Sequence, residues 1–142
     1  MPLLNYTTKI DIFTTLGQIQ GMLVKHGAKK ILQEYDSAGH VEAVSFVIDT
    51  PIGMQAIRLP AKVDAVQKVL LKQKVKAERD QAERVAWRII KDWVEAQMAI
   101  LESEMVTLDE IFLPYMVNQA GETVYKLFID KQFFLKGKVE YN

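Results

Sequence analysis

The chain reads as an α+β protein: an N-terminal helix, a three-stranded antiparallel meander, then two or three helices, one of them long and amphipathic. Three observations predict this. Between Lys29 and Pro60, three short runs carry β-branched and aromatic residues and are separated by Gly- and Pro-bearing turns. Before them, and again from Ala61 onward, apolar residues recur at helical spacing. No run repeats, so one sheet and one set of helices must cover each other.

The first segment, "NYTTKIDIFTT", is polar with scattered apolar residues and suits an extended lead-in or a short edge strand. Thr15 to Gln18 has the pattern of a capping box, which would open a helix with Leu16, Ile19 and Leu23 on one face. Lys25 and His26 suit its last turn and Gly27 its left-handed stop. Gly17 and Gly21 each weaken such a helix by up to roughly 1 kcal/mol. Close approach to a neighbouring sheet is the expected compensation.

"KKILQEYD", "VEAVSFVID" and "MQAIRLP" are the three strands, with Val44, Phe46 and Ile48 as the inward side of the middle one. Their short connections, "SAGH" and "TPIG", make them antiparallel. Val63, Val66, Val69 and Leu70 then mark a helix, and "KQKVKAERDQAER" is a charged continuation or a connector. The long helix is "ERVAWRIIKDWVEAQMAILESEM". Its expected apolar stripe is Ala82, Ala86, Ile89, Trp93, Ala96 and Ile100, widened by Val85, Ile90 and Val94. Thr107 to Glu110 forms a second capping box, and the short helix it opens stops before Pro114. An aromatic tail follows the turn "NQAGET".

The 142 residues suit a single domain: helix plus meander over 1–60, a helical part over 61–129, and a tail over 130–142. A chain of this size buries roughly two thirds of its unfolded surface and needs no staple. The absence of cysteine excludes disulfides, thiol catalysis and Cys-ligated metals. Eighteen basic and eighteen acidic residues give no net charge, which argues against a non-specific nucleic-acid binder and leaves room for a local patch. No signal peptide and no apolar run of ~20 residues is present, so a cytoplasmic location without a membrane partner is expected.

Nucleotide-binding loops, nucleophile elbows and metal-binding His motifs are all missing, and His26 and His40 are isolated. No catalytic residue, metal ligand or cofactor is therefore assigned. The basic residues are the better lead. From Lys62 to Lys91 there are nine, against five acids up to Asp92. Arg84, Arg88 and Lys91 follow i, i+4, i+7 spacing, and Trp87 lies beside them. Guanidinium groups next to an exposed indole suit the phosphate and base of a nucleotide-like anion. The competing reading makes Trp87 core and pairs Arg88 with Asp92 and Lys91 with Glu95. Arg58, next to Pro60, is a further candidate ligand residue. The apolar excess of "IFLPYM" and "VYKLFIDKQFF" points to an intertwined homo-oligomer, most simply a two-fold dimer, with Met98, Met105 and Met116 as adaptable fillers.

The stretches "NYTTKI", "KHGAKKI", "SFVIDTPIGMQAIRLPA" and "ERVAWRIIKDWVEAQMAILESEMVTLDEIFLPYM" resemble a family of small proteins carried by phages, prophages and mobile elements of Gram-positive bacteria. The resemblance implies an accessory role in the host cytoplasm and carries no catalytic residue. By analogy of size and origin with Thoeris and CBASS inhibitors, it implies a non-enzymatic anti-defence protein that sequesters an anionic nucleotide-like ligand. Three alternatives stand beside it: a single-stranded nucleic-acid-binding accessory of replication or recombination, an inhibitor that binds a host defence protein, and an unrecognised hydrolase.

Overall fold

A computed structural model describes residues 1–131. The elements are α1 (Ile12–Lys25), β1 (Lys29–Tyr35), β2 (Val41–Thr50), β3 (Gly53–Pro60), α2 (Val63–Lys72), α3 (Arg79–Glu102) and α4 (Leu108–Phe112). After them come a 3-10 turn (Leu113–Tyr115), β4 (Met116–Val117) and α5 (Val124–Lys131). The α+β class and the antiparallel meander are as the sequence predicts, and β4 extends the sheet to the order β1-β2-β3-β4. The part of the expected tail beyond residue 131 lies outside the described residues.

The sheet is covered on one face. Val44, Phe46 and Ile48 of β2 and Ile57 and Leu59 of β3 meet Leu16, Ile19 and Leu23 of α1, Trp87, Val94 and Met98 of α3, and Phe112 of α4. The Phe46 and Phe112 rings pack edge to face at 5.1 Å. A second, smaller cluster joins Val63 and Leu70 of α2 to Ala82, Val85 and Ala86 of α3. So α3 is wedged between two apolar surfaces along its first half, which explains how a helix with so many charges buries so many residues.

Several local expectations are corrected. Helix α1 starts earlier, at an Asp11 cap whose carboxylate accepts from the Phe13 N–H. Thr15 is instead a buried residue inside the helix. Gly17 and Gly21 face solvent, with no atom within 4 Å of an added Cβ, so the expected close approach is absent. The lead-in is neither strand nor free. It turns at Leu3–Tyr6 and is fastened by Asn5 Nδ2 to Asp92 Oδ2 (2.8 Å) and by Gln81 Nε2 to the carbonyls of Tyr6 (3.1 Å) and Thr8 (2.9 Å). The capping box at Thr107 and Glu110 is present.

The largest correction concerns the rotation of α3. Its sheet-facing side carries Trp87, Val94 and Met98, spaced i, i+7, i+11, with Ile90 and Leu101 beside them. Ala96, placed in the stripe by sequence, is exposed. Trp87 is 0% exposed, so of the two readings of this indole the core one holds and the outward-facing one is corrected. Hydrophobic burial of an entire indole outweighs what a surface site would gain from it.

The Trp87 Nε1 has no hydrogen-bond partner among the described residues. Trp87→Ala should therefore lower the urea-denaturation stability by about 3–5 kcal/mol. Trp87→Phe should lose less than half of that, because it keeps an aromatic ring in the cavity while, like the Ala variant, relieving a buried N–H whose lack of a partner costs about 1–3 kcal/mol. Equal losses for the two variants would contradict this account of the core.

Candidate functional site

The sequence-predicted site residues do not form one cluster. Arg84 donates through Nη2 (2.6 Å) and Nε (3.1 Å) to Gln81 Oε1. It lines a shallow hollow of about 360 Å³ with Lys9 and Lys76. Arg88 reaches across to α1, where Nη1 donates to Gln18 Oε1 (2.6 Å) and Thr15 Oγ1 (3.3 Å). Arg88 thus braces α3 against α1 while Arg84 bonds within its own helix, both to neutral acceptors, and neither forms an ion pair among the described residues. Lys91 pairs with Glu95 and lies 3.7 Å from Asp92. The expected pairing of Arg88 with Asp92 is replaced by the bond from Asn5 to that carboxylate.

Arg58 has a different setting. The β2–β3 register puts it opposite Ser45, and the β1–β2 register puts Glu34 opposite Ala43, so Arg58, Ser45 and Glu34 share the uncovered face of the sheet. Arg58 Nε donates to both carboxylate oxygens of Glu34 at 3.2 Å, and Nη2 lies 3.7 Å from Glu42 Oε1. Ser45 Oγ donates to the same Glu34 carboxylate. That hydroxyl bond, together with the Arg58 hydrogen bond and charge, holds Glu34 below the usual carboxylate range, with partial burial opposing. The carboxylates fix the guanidinium in place and leave it a third exposed.

Arg58 lines a cleft of about 480 Å³ with Pro60, Lys62, Tyr115, Thr123 and Tyr125. Local chemistry builds each wall. β4 is only two residues long, so the edge of β3 beyond Ile57 is left for the cleft. The opposite wall is formed by a turn in which Asn118 Oδ1 accepts from the N–H groups of Ala120 and Glu122, both at 3.0 Å. Gly121 takes the positive φ of 79° that this turn needs. The Thr123 hydroxyl then accepts from Lys126 N–H at 3.0 Å and starts α5, setting Tyr125 at the rim.

Pro60 and Tyr115 also border a smaller apolar hollow of about 220 Å³, completed by Leu59, Ile89, Ile90 and Trp93. Trp93 packs edge to face with Tyr115 at 5.7 Å and with Phe112 at 5.8 Å, and is partly exposed. The indole available to a ligand is thus Trp93, six residues beyond the one sequence reasoning selected. Lys62 and Tyr115 were missed as site residues. Lys62 sits in a charge-rich stretch without distinguishing spacing, and Tyr115 follows a proline on a turn.

A third hollow, of about 370 Å³, includes His40, Asp64, Arg79 and Glu83, and Lys62 lines it as well. Glu83 is 5% exposed. Its Oε1 lies 2.6 Å from His40 Nδ1, a close contact that is not aligned as a hydrogen bond, and 3.9 Å from Arg79 Nε. Arg79 also pairs with Asp64. This set ties the β1–β2 turn, α2 and α3 together. Among the described residues, no three His, Asp or Glu side chains converge as a metal would require. No described helix is long and apolar enough to cross a membrane.

No family model, no curated protein and no solved structure matches the chain.

Because Glu34 is depressed in the folded state, its contribution to stability is present above the unfolded carboxylate value near ~4.3 and is lost as pH falls through the lower folded value. Denaturation midpoints should therefore decline below about pH 4.3, and less steeply in Glu34→Gln. Identical acid slopes for variant and parent would contradict the assigned role of the Ser45–Glu34–Arg58 set.

Proposed function

We propose that the chain is a non-enzymatic binding protein for an anionic, nucleotide-like small molecule, held between the end of β3, the 3-10 turn and α5. One observation carries this reading. A cleft with two cations, Arg58 and Lys62, shares its Pro60 and Tyr115 wall with an apolar hollow containing Trp93. Phosphate oxygens fit the guanidinium and ammonium groups, and a planar base fits against Trp93 and Tyr115. Arg58 is pre-oriented by Glu34 and Glu42, which lowers the ordering cost of binding and tempers the anion attraction at the same time. Sequestration of a nucleotide messenger, as an anti-defence phage protein would perform it, is the biological role proposed on the resemblance alone.

A second reading is favoured by a separate observation. Lys68, Lys72, Lys74 and Lys76 are exposed on α2 and the connector after it, and none forms an ion pair among the described residues. Such a row suits the backbone of single-stranded nucleic acid, whose binding weakens steeply with salt.

Titration calorimetry against mono-, di- and cyclic nucleotides separates the two. The cleft reading predicts saturable binding at one site per chain, weakened about tenfold or more, some 1.4 kcal/mol, by Lys62→Gln or Arg58→Gln. Arg84→Ala should bind as the parent does. Absence of nucleotide binding, or unaltered binding in both cleft variants, would overturn it. Binding confined to oligonucleotides and lost in a Lys72→Gln, Lys74→Gln, Lys76→Gln triple variant would favour the second reading.

A further inference from the structure

Helix α5 is eight residues long and has no buried residue. A helix this short is marginal in water and needs tertiary contact to persist. Its own chain supplies part of that contact through Val124, which packs on the main core, and through the 3-10 turn. Leu127 is half-buried as well, and the other large apolar residues go elsewhere. Tyr125, Phe128 and Ile129 are 61%, 46% and 53% exposed and fall at i, i+3, i+4, so they form one stripe. Leu113 and Tyr115 of the adjoining 3-10 turn are exposed as well.

We infer that this stripe is the contact between two copies of the chain, related by a two-fold axis. The area fits. With ~150–250 Å² for a whole aromatic side chain, the five exposed residues present on the order of 500 Å² of surface. A two-fold interface of standard size takes about 800 Å² per partner. Somewhat over half of that is apolar, which matches what the stripe offers. The charge fits too. Lys126, beside the stripe, pairs with Glu122 (3.1 Å) and Asp130 (3.4 Å), and Lys131 balances the second carboxylate, so two copies can meet face to face without bringing net like charges together. Tyr115 and Tyr125 also line the Arg58 cleft, so the partner copy abuts the rim of that cleft. The inference stands apart from the ligand reading and survives its failure.

Sedimentation velocity of the full chain, over a wide concentration range, tests it. The expected species has twice the 16.2 kDa chain mass. Phe128→Glu should shift it to the monomer with an unchanged far-UV spectrum. Because the chain has no cysteine, single introduced thiols report contacts cleanly. Ile129→Cys should be joined to its counterpart by a short bifunctional thiol reagent, while Val24→Cys, exposed on α1, should not. This pair remains decisive if Phe128→Glu fails to fold. A monomeric parent chain would overturn the inference and leave the stripe to residues 132–142 or to another protein. So would a dimer indifferent to Phe128→Glu and joined only through Val24→Cys.

Discussion

Trp87, sealed against the inner face of the sheet, fixes the rotation of α3 about its own axis. Everything else on that helix follows from this angle. With Trp87, Val94 and Met98 turned to the sheet, the flank carrying Ala82, Val85 and Ala86 faces α2. The opposite flank, with Arg84 and Arg88, faces the N-terminal segment and α1. Trp93 is left at the margin, where it closes an apolar hollow beside β3. A rotation of one residue step, about 100°, would exchange these roles and strand a buried guanidinium in the core, which is strongly unfavourable.

The arginines therefore divide by function according to what faces them. On α3 they meet amide and hydroxyl oxygens of α1 and of α3 itself and serve as braces. Such charge-assisted bonds hold two elements together without the desolvation that a buried ion pair demands. On the open face of the sheet Arg58 meets two carboxylates and a cleft. Held by hydrogen bonds at one edge and partly open to water, it keeps the directional donor capacity that an anion requires. Lys62, at the junction of two hollows, supplies a second cation and forms no ion pair among the described residues.

Much of the fold was legible in the sequence because local signals there agree. The three strands carry alternating Val, Phe and Ile between Gly and Pro turns, and Thr107 with Glu110 marks a helix start that needs no tertiary knowledge. The rotation of α3 was not legible, because the helix has apolar residues on two sides. Ala82, Ala86, Ile89 and Trp93 make as convincing a stripe as Trp87, Val94 and Met98, and only the presence of both α2 and the sheet decides between them. Weighting Trp87 with Val94 and Met98 by size would have found the deeper face. The start of α1 was misplaced because Asp11 and Thr15 are both competent caps. The cleft was only partly legible: Arg58 was identifiable as a strand arginine beside a proline, but Lys62, Tyr115 and Tyr125 come from four different elements together with it, and no spacing encodes their meeting. Strand β4 has two residues and takes its register from β3 and from one bridge to Thr123, so its own sequence carries no strand signal.

The orientation of α3 can be read directly from its two indoles, since the chain has only two tryptophans. Acrylamide quenching of fluorescence in Trp93→Phe, which retains Trp87, and in Trp87→Phe, which retains Trp93, measures the accessibility of each. The account predicts a blue-shifted, strongly shielded Trp87 and a Trp93 that is quenched several times more readily. A Trp87 as accessible to quencher as Trp93 would contradict it, and with it the placement of the cleft.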